Sequence, residues 1–316
     1  MKLKSLEKRQ FDLLSVGELL VDLISTSYSN SFNEAAQFQR FPGGSPANLC
    51  MNMARLGNKT KLVATLGKDD LGNYLLNFVQ GLPIDCQSIQ QISLPTSLIL
   101  VTKSKSTANF EAYRGADCQI TTEQLTETTY KKVSIFHTTC FALSKKPAQT
   151  SIFKAAKKAQ ASGCQLSIDA NYAAKIWPNQ AEAQQIFSDY CALGAMVKIS
   201  EVDWERLYNT PLKHPEKAVK FLLNLGAKEV CLTLGENGCW VGNSKELQFL
   251  PARKVKIVDT TGAGDAFWSG YLTAYLAGKS LINRAKAGRK MAELKLSQEG
   301  ALPDRIDWEI IYEDFV

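Results

Sequence analysis

The segment DTTGAGDAF, residues 259–267, places a carboxylate directly after a glycine turn. The preceding residues 254–258 alternate lysine with valine and isoleucine, which predicts a short strand. Apolar residues recur at helical spacing from Phe267 onward, so the segment is interpreted as a strand, a turn and a helix start. Amide groups at a helix start are unpaired and favour an anion, and glycines let a phosphate approach the backbone. This turn can therefore hold a phosphoryl group.

Asp265 stands beside that turn, where a carboxylate would repel a bound phosphate. The position makes chemical sense if Asp265 takes a proton from a hydroxyl while the amides hold the charge of a migrating phosphoryl group. The alternative is structural, because aspartate is a good helix N-cap and strand–glycine–helix turns are common in α/β proteins. From these residues alone, both interpretations stay open.

Strand-like and helix-like segments alternate along most of the chain. Residues 45–57, for example, are predicted to form a helix with Ser45 as N-cap and Gly57 as terminator. The alternation predicts an α/β fold, a doubly wound and mainly parallel sheet with helices on both faces. Ligands of such sheets bind beyond the carboxyl ends of the strands. Polar residues follow those predicted ends at Asp22, in GGSPAN (43–48), at Asp169, Asn171 and Lys198, and in TLGENG (233–238).

Two segments break the alternation. Residues 25–44 are polar and lack helical periodicity, and residues 96–117 are predicted to form a hairpin around SKST. We expect the two segments to pair into a small β-sheet lid, whose closure would exclude water. The α/β core then comprises residues 1–24, 45–95 and 118–316. Apolar residues on the open face of the lid favour a homodimer formed through it.

Composition argues against several functional classes. The net charge of +6 is scattered along the chain and provides no basic cluster for nucleic acid. Eight cysteines without a C-x-x-C pair, together with only two histidines, argue against a zinc site. The chain has neither an apolar run of about 18 residues nor an apolar leader, so we expect no membrane association and a cytoplasmic location. No G-x-G-x-x-G follows the first strand and no G-x-x-x-x-G-K-[ST] is present, which disfavours a Rossmann dehydrogenase and a P-loop kinase.

The combination of GGSPAN with a later DTTGAGD resembles the ribokinase-like, PfkB-type family of carbohydrate kinases. The similarity covers nearly the whole chain and includes GELLVD, LGKDDLGNYL, AYRGAD, SIDANYAAKIWP and TLGENG. YRGAD together with D-x-N and W-P is most similar to the fructokinase branch. Kinases of 2-keto-3-deoxygluconate and 5-dehydro-2-deoxygluconate are near neighbours. The resemblance implies transfer of the γ-phosphate of ATP to a hydroxyl of a small sugar, with Mg²⁺ carried on the ATP phosphates.

The same resemblance implies a role for each matched residue, beginning with Asp265 as the base that deprotonates the acceptor hydroxyl. The anion hole would consist of the amides of Gly262, Ala263 and Gly264. The substrate would contact Asp22, Gly43, Gly44, Asn48, Arg114 and Asn171. The nucleotide would contact Lys198, Ser200, Thr233, Gly235, Gly238 and Arg289. The metal-related positions would be Asp259 and Thr261, for a monovalent cation such as K⁺, and Asp203, which would act on Mg²⁺ indirectly.

The chain departs from the family pattern at a few positions. Ala173 stands where relatives carry arginine, Ser200 stands in place of an asparagine, and Arg289 with Lys290 replaces a run of small residues near the adenine. A sugar acid in a closed pocket would need cationic partners, and Arg114 is the only one identified. Fructose is therefore the expected substrate, with the two keto-deoxy sugar acids as alternatives. A sugar-binding regulatory protein without catalysis is a third alternative, which the intact DTTGAGD motif opposes.

Overall fold

A computed structural model describes residues 9–29, 31–103 and 109–315 of the 316-residue chain. The strands are β1 (Phe11–Val16), β2 (Leu20–Tyr28), β3 (Phe38–Gly43), β4 (Thr60–Gly67), β5 (Ile84–Ile92), β6 (Leu98–Lys103), β7 (Phe110–Tyr113), β8 (Val133–Thr139), β9 (Gln165–Asp169), β10 (Met196–Ser200), β11 (Glu229–Thr233), β12 (Cys239–Asn243) and β13 (Leu247–Leu250). The α-helices are α1 (Ser45–Arg55), α2 (Asp70–Gln80), α3 (Glu127–Tyr130), α4 (Cys140–Leu143), α5 (Ala148–Ala161), α6 (Gln180–Ala192), α7 (Glu201–Tyr208), α8 (Pro215–Asn224), α9 (Ala263–Leu276) and α10 (Leu281–Leu296). Short 3₁₀ helices span Ala116–Gln119, Gly235–Asn237 and Trp308–Tyr312.

Nine of the described strands form one central sheet in the order β13-β12-β11-β10-β9-β8-β1-β4-β5. Neighbouring strands from β11 to β5 are parallel, and β12 and β13 add an antiparallel edge. From β1 the chain proceeds outward to β4 and β5 on one side, whereas β8 to β11 proceed outward on the other. The boundary between β1 and β8 is thus the switch point at which such sheets bind ligands. The predicted doubly wound α/β fold is confirmed.

Two apolar cores cover the two faces of this sheet. On β1, Leu14 packs with residues of α5, α6 and α8, whereas Leu13 packs with residues of α1, α2 and α9. Successive strand residues point to opposite faces, so one buried strand contributes to both cores. β4 is buried along its whole length, as expected for a parallel strand with helices on both faces. No helix within the described residues has the length and apolar character needed to cross a bilayer.

Four strands form a second, smaller sheet in the order β3-β2-β6-β7. The central pair β2–β6 is parallel and the two outer pairs are antiparallel, so both sequence segments predicted to pair do so. The SKST turn predicted between β6 and β7 lies outside the described residues. Residues 20–24, which the sequence analysis assigned to the core, belong to this sheet, because Asp22 pairs with Phe41 on one side and Ile99 on the other.

The prediction of a strand at residues 254–258 is wrong. β13 ends at Leu250, and the chain that follows is irregular up to α9. Ile257 and Val258 are exposed, and the Val258 amide donates to the carbonyl of Leu296 at the end of α10. An alternating pattern forms a strand only where another strand supplies hydrogen bonds, and here a helix end supplies one instead.

Candidate active site

A cleft of about 1210 Å³ lies between the carboxyl ends of the central strands and the small sheet. Most residues proposed from the sequence line it: Asp22, Gly44, Asn48, Asn171, Lys198, Ser200, Asp203, Thr233, Gly235, Gly238, Thr261, Gly262, Ala263, Gly264, Asp265 and Arg289. Gly43, Arg114 and Asp259 do not line it. Residues far apart in sequence meet here because parallel strands end at a common edge of the sheet.

Asp265 is held at both carboxylate oxygens by residues of α1. Ser45 Oγ donates to Oδ1 at 2.6 Å, and Asn48 Nδ2 donates to Oδ2 at 2.9 Å. Ser45 is therefore not the predicted helix N-cap: Gly44, with a φ of 101°, holds that position, and Ser45 is the first helical residue. Burial raises the pKa of Asp265, although the two hydrogen bonds and the charge of Lys198 oppose the rise. A carboxylate with a raised pKa is a stronger base than a free one.

The turn before α9 leaves amide groups beside the cleft. Gly262 is the N-cap and adopts a left-handed conformation with a φ of 74°. The Ala263 amide donates to the Thr260 carbonyl at 3.3 Å, whereas those of Gly262 and Gly264 have no hydrogen-bond partner within the described part of the chain. A Cβ on residue 264 would lie 3.1 Å from the ammonium of Lys198. Unpaired amides, the positive end of α9 and this ammonium together favour an anion.

Lys198 reaches this turn from β10 as a buried cation. Its Nζ lies 2.7 Å from Oδ2 of Asp169 at the end of β9. Burial disfavours the charge, but the carboxylates of Asp169 and Asp203 outweigh burial and raise the pKa of Lys198. The other oxygen of Asp169, Oδ1, is buried without a hydrogen-bond partner. The ion pair therefore keeps a fixed positive charge next to the glycine turn.

Two further carboxylates lie on the side of the cleft that the small sheet covers. Burial, with the charge of Asp265 nearby, raises the pKa of Asp22 to about 7. Burial also raises the pKa of Glu18 to about 8, although that carboxyl accepts hydrogen bonds from the Ser45 amide and the Thr139 hydroxyl. Sequence reasoning missed Glu18. The available signal was a glutamate directly after a buried strand, within the GELLVD segment.

Gly43 supports Asp22 from outside the cleft. A Cβ on residue 43 would lie 2.1 Å from Oδ2 of Asp22, so any larger residue would displace that carboxylate. The predicted direct contact of Gly43 with a ligand is not supported, because β3 pairs with β2 and places Gly43 behind the cleft lining. Its role in this structure is to leave room for Asp22.

Arg114 is also absent from the cleft, contrary to the prediction from the sequence. Its Nε donates to Oδ2 of Asp117 at 2.9 Å, and its guanidinium carbon lies 4.1 Å from the centre of the Phe141 ring. Only 3% of the side chain is exposed. A buried guanidinium is stable only with such a partner, which Asp117 supplies from three residues along the chain. Although burial opposes it, the charge of Asp117 and that of Glu18, which lines the cleft, raise the pKa of Arg114.

Backbone turns form the other end of the cleft. Thr233 ends β11, and Gly235 and Gly238 follow it with positive φ values of 54° and 103°. A Cβ on Gly238 would lie 2.1 Å from a backbone carbonyl oxygen of β13, so only glycine fits. Arg289 of α10 lies beside these turns and donates to the carbonyl of Pro251 at 3.1 Å.

The loop after β9 and the start of α7 are joined at the middle of the cleft. Asn171 adopts a left-handed conformation with a φ of 29°, which asparagine tolerates better than most residues. Asp203 accepts hydrogen bonds from the hydroxyl and amide of Ser200, which caps α7, and from the amide of Tyr172. The oxygens of Asp203 are therefore used in joining α7 to this loop.

Asp259 lies at the base of the glycine turn. Its Oδ1 accepts the amide of Thr261 at 2.9 Å, and its Oδ2 lies 3.0 Å from Nζ of Lys295. Over the described ranges, no group of three or more His, Cys, Asp and Glu side chains is arranged to hold a metal ion.

The geometry agrees with comparisons to known proteins. The profile of the pfkB family of carbohydrate kinases matches residues 10–307. An ATP-dependent 6-phosphofructokinase of Thermoanaerobacterium thermosaccharolyticum is 34% identical over 305 residues, which cover 96% of this chain and 94% of that protein. The solved fructokinase of Halothermothrix orenii is 34% identical with a TM-score of 0.76, covering 90% of this chain and 98% of that one.

A sugar kinase of Pyrococcus horikoshii, solved in complex with ATP, is 25% identical with a TM-score of 0.81 and covers 94% of this chain and 96% of that one. These matches confirm the family to which the motifs pointed. The chain belongs to the pfkB family and is a carbohydrate kinase.

Proposed function

We propose that this kinase transfers the γ-phosphoryl group of ATP to a hydroxyl of a neutral ketohexose, with fructose as substrate and Asp265 as general base. The observation that supports this most directly is the position of Asp265 within one helical turn of the unpaired Gly262 and Gly264 amides and beside Lys198. A proton acceptor next to an anion cradle meets the two needs of phosphoryl transfer.

Asp265 would accept the proton of the sugar hydroxyl as the hydroxyl oxygen attacks the γ-phosphorus. The bond from that phosphorus to the bridging β-phosphate oxygen breaks, and ADP leaves with its electron pair. Ser45 and Asn48 hold both carboxylate oxygens, so the base is oriented before a sugar binds. Its raised pKa brings the base closer to the working pH.

Fixed donors would stabilise the charge on the migrating phosphoryl group. The amides of Gly262 and Gly264, the positive end of α9 and the Lys198 ammonium require no rearrangement when that charge develops. Mg²⁺ fits this site as an ion carried on the ATP phosphates, because protein donors already bind both oxygens of Asp203 and Oδ2 of Asp169, which leaves only Oδ1 of Asp169 unpaired in these two carboxylates. When bound, Mg²⁺ would neutralise phosphate charge.

The nucleotide would bind at the end of the cleft formed by Thr233, Gly235 and Gly238, where backbone can approach a flat base closely. Arg289 lies beside these turns. A relative described as ATP-dependent and a neighbour solved with ATP bound support ATP as the nucleotide.

The sugar would bind at the other end, among Glu18, Asp22 and Asn48, whose carboxylates and amide can exchange hydrogen bonds with hydroxyls. Asp265 and the ionised form of Asp22 would repel a substrate carboxylate or phosphate, whereas Glu18, with a pKa of about 8, is mostly neutral near pH 7 and offers hydrogen bonds only. Arg114, the cation suggested for an acidic substrate, is bound to Asp117 outside the cleft. A neutral sugar is therefore favoured over 2-keto-3-deoxygluconate, 5-dehydro-2-deoxygluconate and sugar phosphates.

The small sheet would act as the lid of the site. Leu20 and Asp22 of β2, Ile99 of β6 and Phe110 of β7 line the cleft. Closure of the sheet on the sugar would exclude water as a competing phosphoryl acceptor. The proposed lid comprises residues 25–44 and 96–117, extended to begin at Leu20. A homodimer formed through its outer face stays a prediction from the sequence.

Replacement of Asp265 by asparagine tests the base. We expect turnover with fructose to fall by about 10²–10⁴-fold, because the hydroxyl loses its proton acceptor, while calorimetric sugar binding persists. Asp189→Asn, which alters an exposed carboxylate on α6, is the matched control and should retain wild-type turnover. Near wild-type turnover of the Asp265 variant contradicts the assignment.

The pH profile of kcat/KM tests the environment of the carboxylates. Asp265 and Asp22 both have raised pKa values, so both gain protons as the pH falls, and activity should be lost near the value of about 7 reached by Asp22. Asp22→Asn removes the carboxyl whose pKa is about 7 and should therefore shift the acid limb to lower pH. If the wild-type enzyme instead loses activity only near pH 4, as expected for free carboxyls, the prediction is contradicted.

Gly43→Ala tests the placement of Asp22. The added Cβ would displace that carboxylate, so the KM for the sugar should rise by about 10-fold or more, as expected from losing one hydrogen bond to a charged group. The KM for ATP should not change. Gly81→Ala, at an exposed turn after α2, is the control. An unchanged sugar KM in Gly43→Ala would show that Asp22 does not bind the sugar.

A side-by-side kinetic comparison tests the substrate class. We expect kcat/KM to be higher for fructose than for either fructose 6-phosphate or 2-keto-3-deoxygluconate. Both of these substrates are anions, and the carboxylates of the site would repel them. Asp22→Asn removes one carboxylate and should reduce the difference in kcat/KM between fructose and the two anions. A clear wild-type preference for either anion overturns the substrate class and leaves the kinase family unaffected.

A further inference from the structure

Lys295 places a buried positive charge at the base of the glycine turn. Its Nζ lies 3.0 Å from Oδ2 of Asp259, and only 9% of its side chain is exposed. The lysine belongs to the last turn of α10, where the negative end of the helix favours a cation. The end of α10 and the carboxylate of Asp259 therefore both stabilise the Lys295 ammonium at this position.

The same lysine lies against the backbone of the proposed anion hole. A Cβ on Gly262 would lie 3.8 Å from Cε of Lys295. Asp259 accepts the Thr261 amide with its other oxygen, and the Val258 amide donates to the carbonyl of Leu296. The turn and the end of α10 therefore form one hydrogen-bonded unit with Lys295 inside it.

The family resemblance implies a monovalent cation at Asp259 and Thr261, and the residues present do not fit one. One oxygen of Asp259 is used by an amide and the other by an ammonium group. A K⁺ ion placed there would meet the like charge of Lys295 at close range. No step of the reaction is therefore assigned to such an ion.

We propose that Lys295 is a positioning residue that takes the place of a monovalent cation beneath the anion hole. Its ammonium holds Asp259, and through the Thr261 amide it holds the turn whose Gly262 and Gly264 amides face the γ-phosphate. Lys295 itself does not touch the substrate. The kinase then needs no K⁺. This inference rests on the proposed anion hole.

The first test measures the wild-type enzyme with and without K⁺. ATP consumption with saturating sugar is compared in KCl and in tetramethylammonium chloride at equal ionic strength, and the rates should agree within about twofold. The thermal midpoint without nucleotide, in the same two salts, should also agree. Activation by K⁺ of about 10-fold or more, or a midpoint raised by K⁺ alone, overturns the proposal. The midpoint reports the cation site whether or not Asp265 is the base, so this failure is distinguishable from failure of the proposed function.

The second test removes the charge. Lys295→Met keeps the length of the side chain and should lower kcat or raise the KM for ATP by about 10-fold, with the KM for sugar unchanged. Lys295→Ala also leaves space, so K⁺ but not tetramethylammonium should restore part of its activity and raise its thermal midpoint. Lys286→Met, at a partly exposed lysine of the same helix that does not line the cleft, is the control and should match the wild type. Wild-type kinetics of Lys295→Met, or no response of Lys295→Ala to K⁺, contradict the proposal. If neither variant folds, the wild-type salt comparison decides.

Discussion

The hydrogen bonds that Ser45 and Asn48 donate to Asp265 join the first turns of α1 and α9, and the rest of the cleft is arranged around this junction. α1 follows the small sheet through β3, and α9 follows the irregular segment after β13. The junction therefore ties the sugar side of the site to the phosphate side. Each helix begins after a glycine with positive φ, Gly44 or Gly262, a conformation that glycine adopts without strain.

Charge is segregated on the two sides of this junction. Glu18 and Asp22 lie on the side of the small sheet, and burial raises the pKa of both, with the charge of Asp265 raising that of Asp22 further. Lys198 and Lys295 lie on the side of the glycine turn, each paired with an aspartate. A neutral polyol suits the first environment and a phosphate suits the second, so the same arrangement accounts for the orientation of both proposed substrates.

Three sequence-based expectations failed for related reasons. Residues 254–258 alternate like a strand but have no partner strand, and their segment is bonded to the end of α10. Ser45 has the residue type of an N-cap, but its hydroxyl donates to Asp265, 220 positions later. Arg114 was assigned to a ligand by its motif, yet Asp117, three residues away, binds it. In each case a local pattern leaves open which of several competing partners the group will meet.

The sequence by itself determined the α/β class, the family, the glycine turn and most of the residues that line the cleft. Strand and helix periodicity, together with the positions of glycines, are local properties, and the carboxyl ends of parallel strands meet at one edge whatever the details of packing. Only the tertiary structure decided that Glu18 belongs to the site, that Gly43 makes room for Asp22 and that Lys295 pairs with Asp259. These relations are direct contacts between residues of different elements, and they are set by how strands register and helices pack. Because a pattern along one chain carries no information about such contacts, the charges and close contacts of the site had to be read from the folded molecule.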